Sequence, residues 1–281
     1  MAVPITGDPP PQALASPVVP AAVRPRRALA RSALGLHRVF DGASRSARDL
    51  LSGLALGVLG DESLDAAVAA AYEGRSEFRD AAFNASGLRP WESEFVIAHL
   101  RPASRVLVAS AGGGREVLAL HRMGFGTEAF ECNEALAEWG NAFLRERAPG
   151  VTIRRAAPSE VPAGLGACDA VVVGWGAYPH IRPSSRRIAF LRGLRALVSP
   201  GDPVLLSFFE RSGPHSDRAA RIGAAVRAAL ARTAVEPGDI FGPPPMHLFE
   251  RREIESELAA GGFRPVFYSG HGYPHAAGVA E

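Results

Sequence analysis

The stretch Arg105–Asn133, RVLVASAGGGREVLALHRMGFGTEAFECN, decides the fold of this chain. Its first apolar run, Val106–Ala109, is typical of a strand that is buried on both faces. Small residues follow at positions 110–114, where positive φ angles and close backbone approach are tolerated. A helical pattern then leads into a second strand, Thr127–Phe130, which is followed by Glu131. The order strand, glycine turn, helix, strand and acid predicts a βαβ unit that binds a nucleoside.

The spacing of the glycines separates two kinds of nucleotide-binding turn. A dinucleotide fingerprint needs G-x-G-x-x-G, and Val117 stands where the third glycine would fall after Gly112 and Gly114. A nicotinamide-dependent oxidoreductase is therefore disfavoured. Counted as G-x-G-x-G, the loop has Ser110, Gly112 and Gly114 at the glycine positions. This loop, with an acid at Glu131, resembles motif I of the class I S-adenosylmethionine-dependent methyltransferases.

The resemblance extends over about residues 70–281 and implies an α/β, Rossmann-like class I methyltransferase fold. It implies a mostly parallel seven-stranded sheet with an antiparallel last strand, an N-terminal helical cap, and S-adenosyl-L-methionine as cofactor. The cofactor-binding residues that it implies are Ser110, Ala111, Gly112 and Gly114 for the methionine part, Glu131 and Asn133 for the ribose, and Trp175 and Gly176 beside the transfer site. The chain departs from the family pattern after the third strand, Val151–Arg154, where many members have an acid that holds the adenine. We expect backbone groups or Ser159 to hold the adenine instead.

The composition along the chain predicts three parts. Residues 1–28 contain seven prolines and read as a disordered, proline-rich leader. Residues 29–100 carry helical patterns and form the N-terminal helical cap, and residues 101–281 form the Rossmann-like domain, with an insertion at 209–248. In the family that the chain resembles, such cap helices help to form the substrate pocket. The pocket candidates are therefore Tyr72, Phe78, Phe83, Asn84 and Trp91, although for each aromatic residue taken singly the pattern favours a role in packing the helices on the domain.

Candidate catalytic residues follow from the chemistry of methyl transfer. Displacement at a sulfonium methyl mainly requires that nucleophile and methyl are held in line, and a base is needed only when the acceptor carries a proton. The candidates are His180 and Tyr178, which follow the fourth strand, and His247, which leaves the insertion; His271 and His275 are weaker candidates. For each histidine the alternative is a structural role, bonded to a backbone carbonyl. No metal site is expected, since no carboxylate pairs with the late histidines at ligand spacing.

The bulk composition excludes several classes of function. The 281 residues have a formal net charge of +2 and no basic block for a nucleic-acid groove. All 31 cationic residues are arginine, so that mechanisms needing a lysine are excluded. The two cysteines, Cys132 and Cys168, fall at opposite strand edges, which disfavours a disulfide and fits a reducing cytoplasm. No signal peptide or membrane span is expected.

Together with the composition, the resemblance implies an S-adenosylmethionine-dependent methyltransferase that transfers a methyl group to oxygen or nitrogen of a small-molecule acceptor. The alternative is a non-catalytic binding or scaffold protein with the same fold. The serine in the glycine loop and the missing acid after strand three favour that alternative. Binding of the cofactor separates the two hypotheses.

Overall fold

A computed structural model describes residues 23–211, 217–232, 235–242 and 244–281. The chain divides into two units, residues 1–48 and 49–281. The described part of the first unit, 23–48, is helical throughout. The first helix, α1, spans Val23–Val58 and thus begins six residues before the predicted start at Leu29. Residues 1–22 of the predicted leader lie outside the described residues, and the predicted boundaries of the three parts stay predictions.

The second unit begins with helices, and from β1 onward most strands alternate with helices. The further helices are α2 (Asp61–Glu73), α3 (Ala81–Ala85), α4 (Pro90–His99), α5 (Arg115–Arg122), α6 (Glu134–Leu144), α7 (Ser184–Arg195), α8 (Arg218–Ala229) and α9 (Arg251–Ala260), with 3₁₀ turns at Ser76–Arg79 and Tyr178–His180. The strands are β1 (Arg105–Ala109), β2 (Gly126–Glu131), β3 (Ile153–Arg155), β4 (Ala170–Val173), β5 (Pro203–Ser207), β6 (Asp239–Ile240), β7 (Met246–His247), β8 (Phe263–Ser269) and β9 (His275–Ala280). Among the described residues, no helix is both long enough and apolar enough to cross a membrane.

Seven strands form one sheet in the order β3-β2-β1-β4-β5-β9-β8. The pairs from β3 to β5 are parallel, and β9 runs antiparallel to both of its neighbours. The predicted fold class, a mostly parallel seven-stranded sheet with an antiparallel last strand, is therefore confirmed. Ala109 of β1 is in register with Phe130 of β2 and Val173 of β4, so these three strands end at one edge of the sheet.

The central strands are buried on both faces, as their continuous apolar sequence predicts. On one face, Leu107 of β1 belongs to a core with Leu191 of α7 and Leu258 of α9. On the other face, Val108 packs in a second core with Leu118 of α5. Because alternate residues of a strand point to opposite faces, a strand between two helical layers has no polar face.

The insertion packs against the end of α1. A β-carbon on Gly57 of α1 would lie 2.5 Å from Cβ of Val226 on α8, so the backbone of α1 lies directly against the Val226 side chain at this point. The guanidinium of Arg227 donates to the carbonyls of Leu56 and Leu59 and to Asp61, where α1 ends and α2 begins. The insertion therefore fixes the point from which the cap helices start.

The insertion also contains structure that the sequence reading missed. Between α8 and α9 it holds a short antiparallel pair, β6 and β7, in which Asp239 is in register with His247. Short two-residue strands carry too little periodic pattern to be recognised from sequence. The strands predicted at Val106–Ala109, Thr127–Phe130 and Val151–Arg154 correspond to β1, β2 and β3, with ends shifted by at most two residues.

Candidate functional site

A cavity of about 1100 Å³, part of it open to solvent, lies at the carboxyl edge of the sheet. Ligands of open α/β sheets bind outside this edge, where the strand order changes direction. One side of the cavity, which we call the sheet wall, consists of residues 110–113, 130–133 and 157–160. The opposite side, the cap wall, is formed by Asp65, Val68, Ala69, Tyr72, Phe78, Phe83 and Asn84. Residues after β4, including Trp175 and His180, also line it.

The glycine loop of the sheet wall has an unusual backbone. Ser110, Gly112 and Gly114 have φ angles of 57°, 54° and 95°. Only glycine adopts this left-handed region without a steric penalty, so that Ser110 holds a conformation normally reserved for glycine. The serine thus preserves the shape of the G-x-G-x-G turn. A β-carbon on Gly174 would lie 2.0 Å from the Ser110 carbonyl oxygen, so β1 and β4 also approach closely here.

Glu131 is the central polar group of the sheet wall. Its Oε2 accepts a hydrogen bond from the Gly112 N–H and its Oε1 from the Asn133 N–H, each at 2.8 Å. Burial raises the pKa of this carboxyl, and the two backbone hydrogen bonds oppose that rise. Glu131 is 6% exposed and lines the cavity, so the backbone amides fix the orientation of its carboxyl group beside the space that a ligand would occupy.

The cap wall is mainly aromatic. The Phe78 ring lies 5.3 Å from Tyr72 and 5.6 Å from Phe83, measured between ring centroids. Asn84 holds the turn beneath them by donating to the carbonyls of Phe78 and Asp80. A β-carbon on Gly113 would meet the Phe78 carbonyl oxygen at 2.4 Å. The cap therefore rests directly on the backbone of the glycine loop.

Tyr72 and His180 form a hydrogen-bonded pair in the cavity. The Tyr72 hydroxyl lies 3.0 Å from Nε2 of His180, and Nδ1 of His180 lies 2.9 Å from the Pro245 carbonyl oxygen. Burial lowers the pKa of His180 to about 4 and raises the pKa of Tyr72 to about 12. Both side chains are therefore neutral near pH 7.

A buried ion cluster joins the cap to the helix that follows the glycine loop. Arg115 of α5 donates to both carboxylate oxygens of Glu92 on α4, at 2.7 and 2.6 Å, and to Glu116 at 2.6 Å. Glu116 also accepts from the Trp175 N–H after β4. Burial disfavours the charged form of Arg115 and so lowers its pKa. The two carboxylates outweigh this effect and hold the pKa of Arg115 above its ordinary value. The cluster ties cap, glycine loop and β4 together at the base of the cavity.

The structure brings most of the predicted residues to the cavity. Lining residues that the sequence singled out are Ser110, Ala111, Gly112, Glu131, Asn133, Trp175, His180, Tyr72, Phe78, Phe83 and Asn84. Gly114 and Gly176 are not among the lining residues: Gly114 precedes α5, and the Gly176 N–H donates to Ser207. Trp91, the remaining pocket candidate, does not line the cavity and packs against His275.

Tyr178 and His247, predicted as catalytic candidates, lie outside the cavity lining. The Tyr178 side chain is fully buried, and its hydroxyl donates to Glu257, which also binds Arg187. In the 3₁₀ turn Tyr178–His180, the side chains of Tyr178 and His180 point in different directions, so that only His180 reaches the cavity. For Tyr178 the structure thus corrects the expectation that it reaches an acceptor.

His247 has a carboxylate partner that the sequence reading did not foresee. Its Nδ1 lies 2.9 Å from Asp239 across the β6–β7 pair, with Glu236 at 4.0 Å. These three side chains come within metal-ligand spacing of one another. Their oxygens are engaged, however, since Glu236 accepts from Arg187 and the Ser184 N–H, and Asp239 accepts from the Glu236 N–H. We read the group as an anchor of the insertion.

Asp65, Val68 and Ala69 line the cavity but were not among the predicted pocket residues. Together with the predicted Tyr72 they form one stripe of α2 with helical spacing, a signal that was present in the sequence. Asp65 is bound by Arg186, which also donates to the Pro158 carbonyl and so links the cap to the loop after β3. That link could not be seen in the sequence because its members are distant in the chain.

Comparisons with known proteins agree with this geometry. No protein-family model and no curated protein matches the chain. Among solved structures, one match is the 1,6-didemethyltoxoflavin-N1-methyltransferase of Burkholderia thailandensis, crystallised with bound 1,6-didemethyltoxoflavin and S-adenosylhomocysteine. Its identity is 20%, its TM-score is 0.58, and the match covers 80% of this chain and 92% of that chain.

Two further structures have a TM-score of 0.52. The sugar N-methyltransferase of a Streptoalloteichus species is 15% identical, with 75% of this chain and 91% of that chain covered. A Methanosarcina mazei protein described as a S-adenosylmethionine-dependent methyltransferase is 13% identical, with 69% and 96% covered. At these identities the likeness establishes the fold. The chain has the fold of the class I S-adenosylmethionine-dependent methyltransferases.

Proposed function

We propose that this protein is a methyltransferase that uses S-adenosyl-L-methionine to methylate oxygen or nitrogen of a small-molecule acceptor. The observation that carries the proposal is the Glu131 carboxylate, fixed by the Gly112 and Asn133 amides at the cavity edge. A buried acid beyond the second strand, beside a left-handed glycine turn, suits a ribose whose two hydroxyls donate to it. The solved structures of similar fold, one of them holding S-adenosylhomocysteine, support the same cofactor.

The residues of the cavity fit such a cofactor. Backbone of the glycine loop, residues 110–113, would lie against the methionine part, and Glu131 and Asn133 would hold the ribose. Ser159, in the loop after β3, lines the cavity where an adenine would reach, although no acid stands beside that strand end before Glu160. The bound cofactor would supply an electrophilic methyl group on a sulfonium.

Residues after β4 and on the cap would position the acceptor. Trp175 and His180 line the cavity at the sheet edge, and the rings of Tyr72, Phe78 and Phe83 face it from the cap. In-line displacement needs close confinement of two reactants, which a lined cavity provides better than an open surface. A small acceptor, no nucleic-acid partner and a cytoplasmic location remain predictions from the sequence.

Isothermal titration calorimetry with S-adenosylmethionine and S-adenosylhomocysteine tests the proposal. We expect micromolar binding of both, weakened at least about 100-fold in Glu131→Ala, because the ribose would lose its charged acceptor. Glu128→Ala is a matched control: Glu128 lies on the same strand but pairs with Arg105, away from the cavity. Unchanged affinity in the control would exclude a general effect on β2.

Absence of binding to folded wild-type protein would reject the proposal. The non-catalytic binding or scaffold role would then take its place, because the fold without the cofactor cannot transfer a methyl group. Circular dichroism of both variants separates loss of binding from loss of folding. Equal affinity of wild type and Glu131→Ala would leave the cofactor but remove the proposed ribose contact.

A further inference from the structure

We propose that Tyr72 and His180 form the acceptor-recognition site, which selects an uncharged, flat acceptor presenting an N–H or O–H group and removes its proton. The inference rests on the proposed function. It is carried by the hydrogen-bond chain from the Tyr72 hydroxyl through both ring nitrogens of His180 to the Pro245 carbonyl.

The direction of every hydrogen bond in this chain follows from the last partner. A carbonyl oxygen can only accept, so Nδ1 of His180 carries the proton that it shares with Pro245. Nε2 of the neutral ring then has only a lone pair, and the Tyr72 hydroxyl must donate to it. Tyr72 has used its one proton and offers only lone pairs to the cavity. A group that contacts this oxygen must therefore be a donor.

The surroundings of the pair favour a flat, uncharged molecule. Tyr72, Phe78 and Phe83 give the cap wall an aromatic surface with centroid spacings of 5.3 and 5.6 Å. Arg115 is the one cationic side chain among the described lining residues, and it is bound by Glu92 and Glu116. A carboxylate or phosphate entering the cavity would therefore lose water without gaining a free cationic partner.

The same chain of hydrogen bonds provides a path for the proton. When the acceptor lone pair forms its bond to the methyl carbon, the carbon–sulfur bond of the bound cofactor would break. Its electron pair would return to sulfur, which becomes a neutral thioether. The proton that leaves the acceptor N–H or O–H passes to the Tyr72 oxygen, while the Tyr72 proton passes to Nε2 of His180. The imidazolium keeps its Nδ1 hydrogen bond to Pro245 and later releases the proton to solvent.

The groups around His180 make its imidazole a weak base. Burial lowers the pKa of His180 to about 4, and the positive charges of Arg182 and Arg75 add to that effect, opposed by the Pro245 carbonyl. Glu131 and Cys132 face Tyr72 from the sheet wall. A base this weak accepts a proton from a methylated hydroxyl, whose oxonium form is strongly acidic, or from a weakly basic aromatic nitrogen, but not from an alkylammonium group.

Binding of three aromatic probes tests the selection. Phenol has a donor, anisole lacks it, and benzoate carries a charge; each is titrated by NMR with and without S-adenosylhomocysteine. We expect phenol to bind about tenfold more tightly than anisole, and benzoate most weakly, because one hydrogen bond separates the first pair. Tyr72→Phe should remove the preference for phenol. Tyr268→Phe, a matched change at a tyrosine bonded to Glu210 outside the cavity, should keep it.

The variant His180→Leu tests whether His180 acts by orienting the Tyr72 hydroxyl or only by packing against it. Without Nε2 as acceptor, the Tyr72 hydroxyl is free to donate into the cavity, so the phenol preference should fall although the Tyr72 ring remains. A ¹⁵N spectrum of histidine-labelled protein should show the His180 ring protonated on Nδ1 alone at pH 7. That spectrum needs neither cofactor nor acceptor.

Each outcome decides the proposal. An Nε2–H tautomer of His180, equal binding of phenol and anisole, tighter binding of benzoate, or no binding of any probe would overturn it. Because the calorimetric titration of S-adenosylmethionine is a separate measurement, cofactor binding without donor selection would reject this inference and leave the proposed function intact.

Discussion

The sheet wall of the cavity is made mainly of backbone, whereas the cap wall is made of side chains held by contacts between distant residues. On the sheet wall, Gly112 and Asn133 amides orient Glu131 within a single βαβ unit. On the cap wall, Tyr72 meets His180, which is 108 residues away, and His180 meets Pro245 after a further 65. The sheet wall is thus organised by contacts between residues that are close in the chain. The cap wall depends on how the cap is anchored to residues that are distant in the chain.

The largest expected effect comes from breaking the ion cluster between the walls. Arg115→Met leaves Glu92 and Glu116 buried without their cation, and we expect it to lower the free energy of unfolding by about 3–5 kcal/mol. Arg251→Met is the matched control, because Arg251 pairs with Glu255 at the exposed surface, where ion pairs contribute little to stability. Urea denaturation compares the two. Equal losses would show that the cluster does not anchor the cap.

The next effect is a pH dependence that belongs to the cap wall. Burial lowers the pKa of His180 from 6.5 to about 4, so the unfolded chain takes up a proton in this window while the folded chain does not. Stability is therefore full above about pH 7 and falls by up to about 3 kcal/mol as the pH drops toward 4. Stability curves of wild type and His180→Leu should differ in slope between pH 6.5 and 4. The exposed His271→Asn variant should follow wild type.

A smaller effect tests how the insertion supports the cap. Gly57→Ala places a β-carbon 2.5 Å from Cβ of Val226, so we expect a loss of about 1–3 kcal/mol through overpacking of α1 on α8. Gly42→Ala makes the same change in the same helix with no atom within 4 Å, and should instead stabilise by up to about 1 kcal/mol through helix propensity. Thermal unfolding of both variants gives the comparison. A loss at Gly42 as large as at Gly57 would contradict the close crossing.

The smallest effect tests whether Ser110 contributes to the sheet wall through its backbone conformation. Ser110 has a φ of 57°, and Ser110→Gly should relieve the left-handed strain and raise the free energy of unfolding by about 1 kcal/mol. Affinity for S-adenosylmethionine should not fall, since the turn keeps its shape. A marked loss of affinity, read by calorimetry, would mean that the Ser110 side chain rather than its backbone conformation contributes to the site.

The local elements of this protein were predictable because their signals are local. The run Val106–Ala109, the glycine turn and Glu131 lie within 29 residues, and alternation of apolar strands with helical stripes indicated the sheet. The cavity stripe of α2 was readable in principle from its spacing. The β6–β7 pair was not, because two-residue strands carry no pattern and arise only when Asp239 and His247 meet.

Sequence by itself determined the βαβ unit, the buried strands and the acid at the sheet edge, because each follows from backbone preferences and apolar periodicity over short distances. Tertiary structure alone decided which of the neighbouring candidates faces the cavity. Tyr178 turns inward to Glu257, and His180 turns outward to Tyr72, although only one residue separates them. Their directions depend on partners supplied by α9, α2 and the insertion, and those partners are brought together only when the whole chain packs.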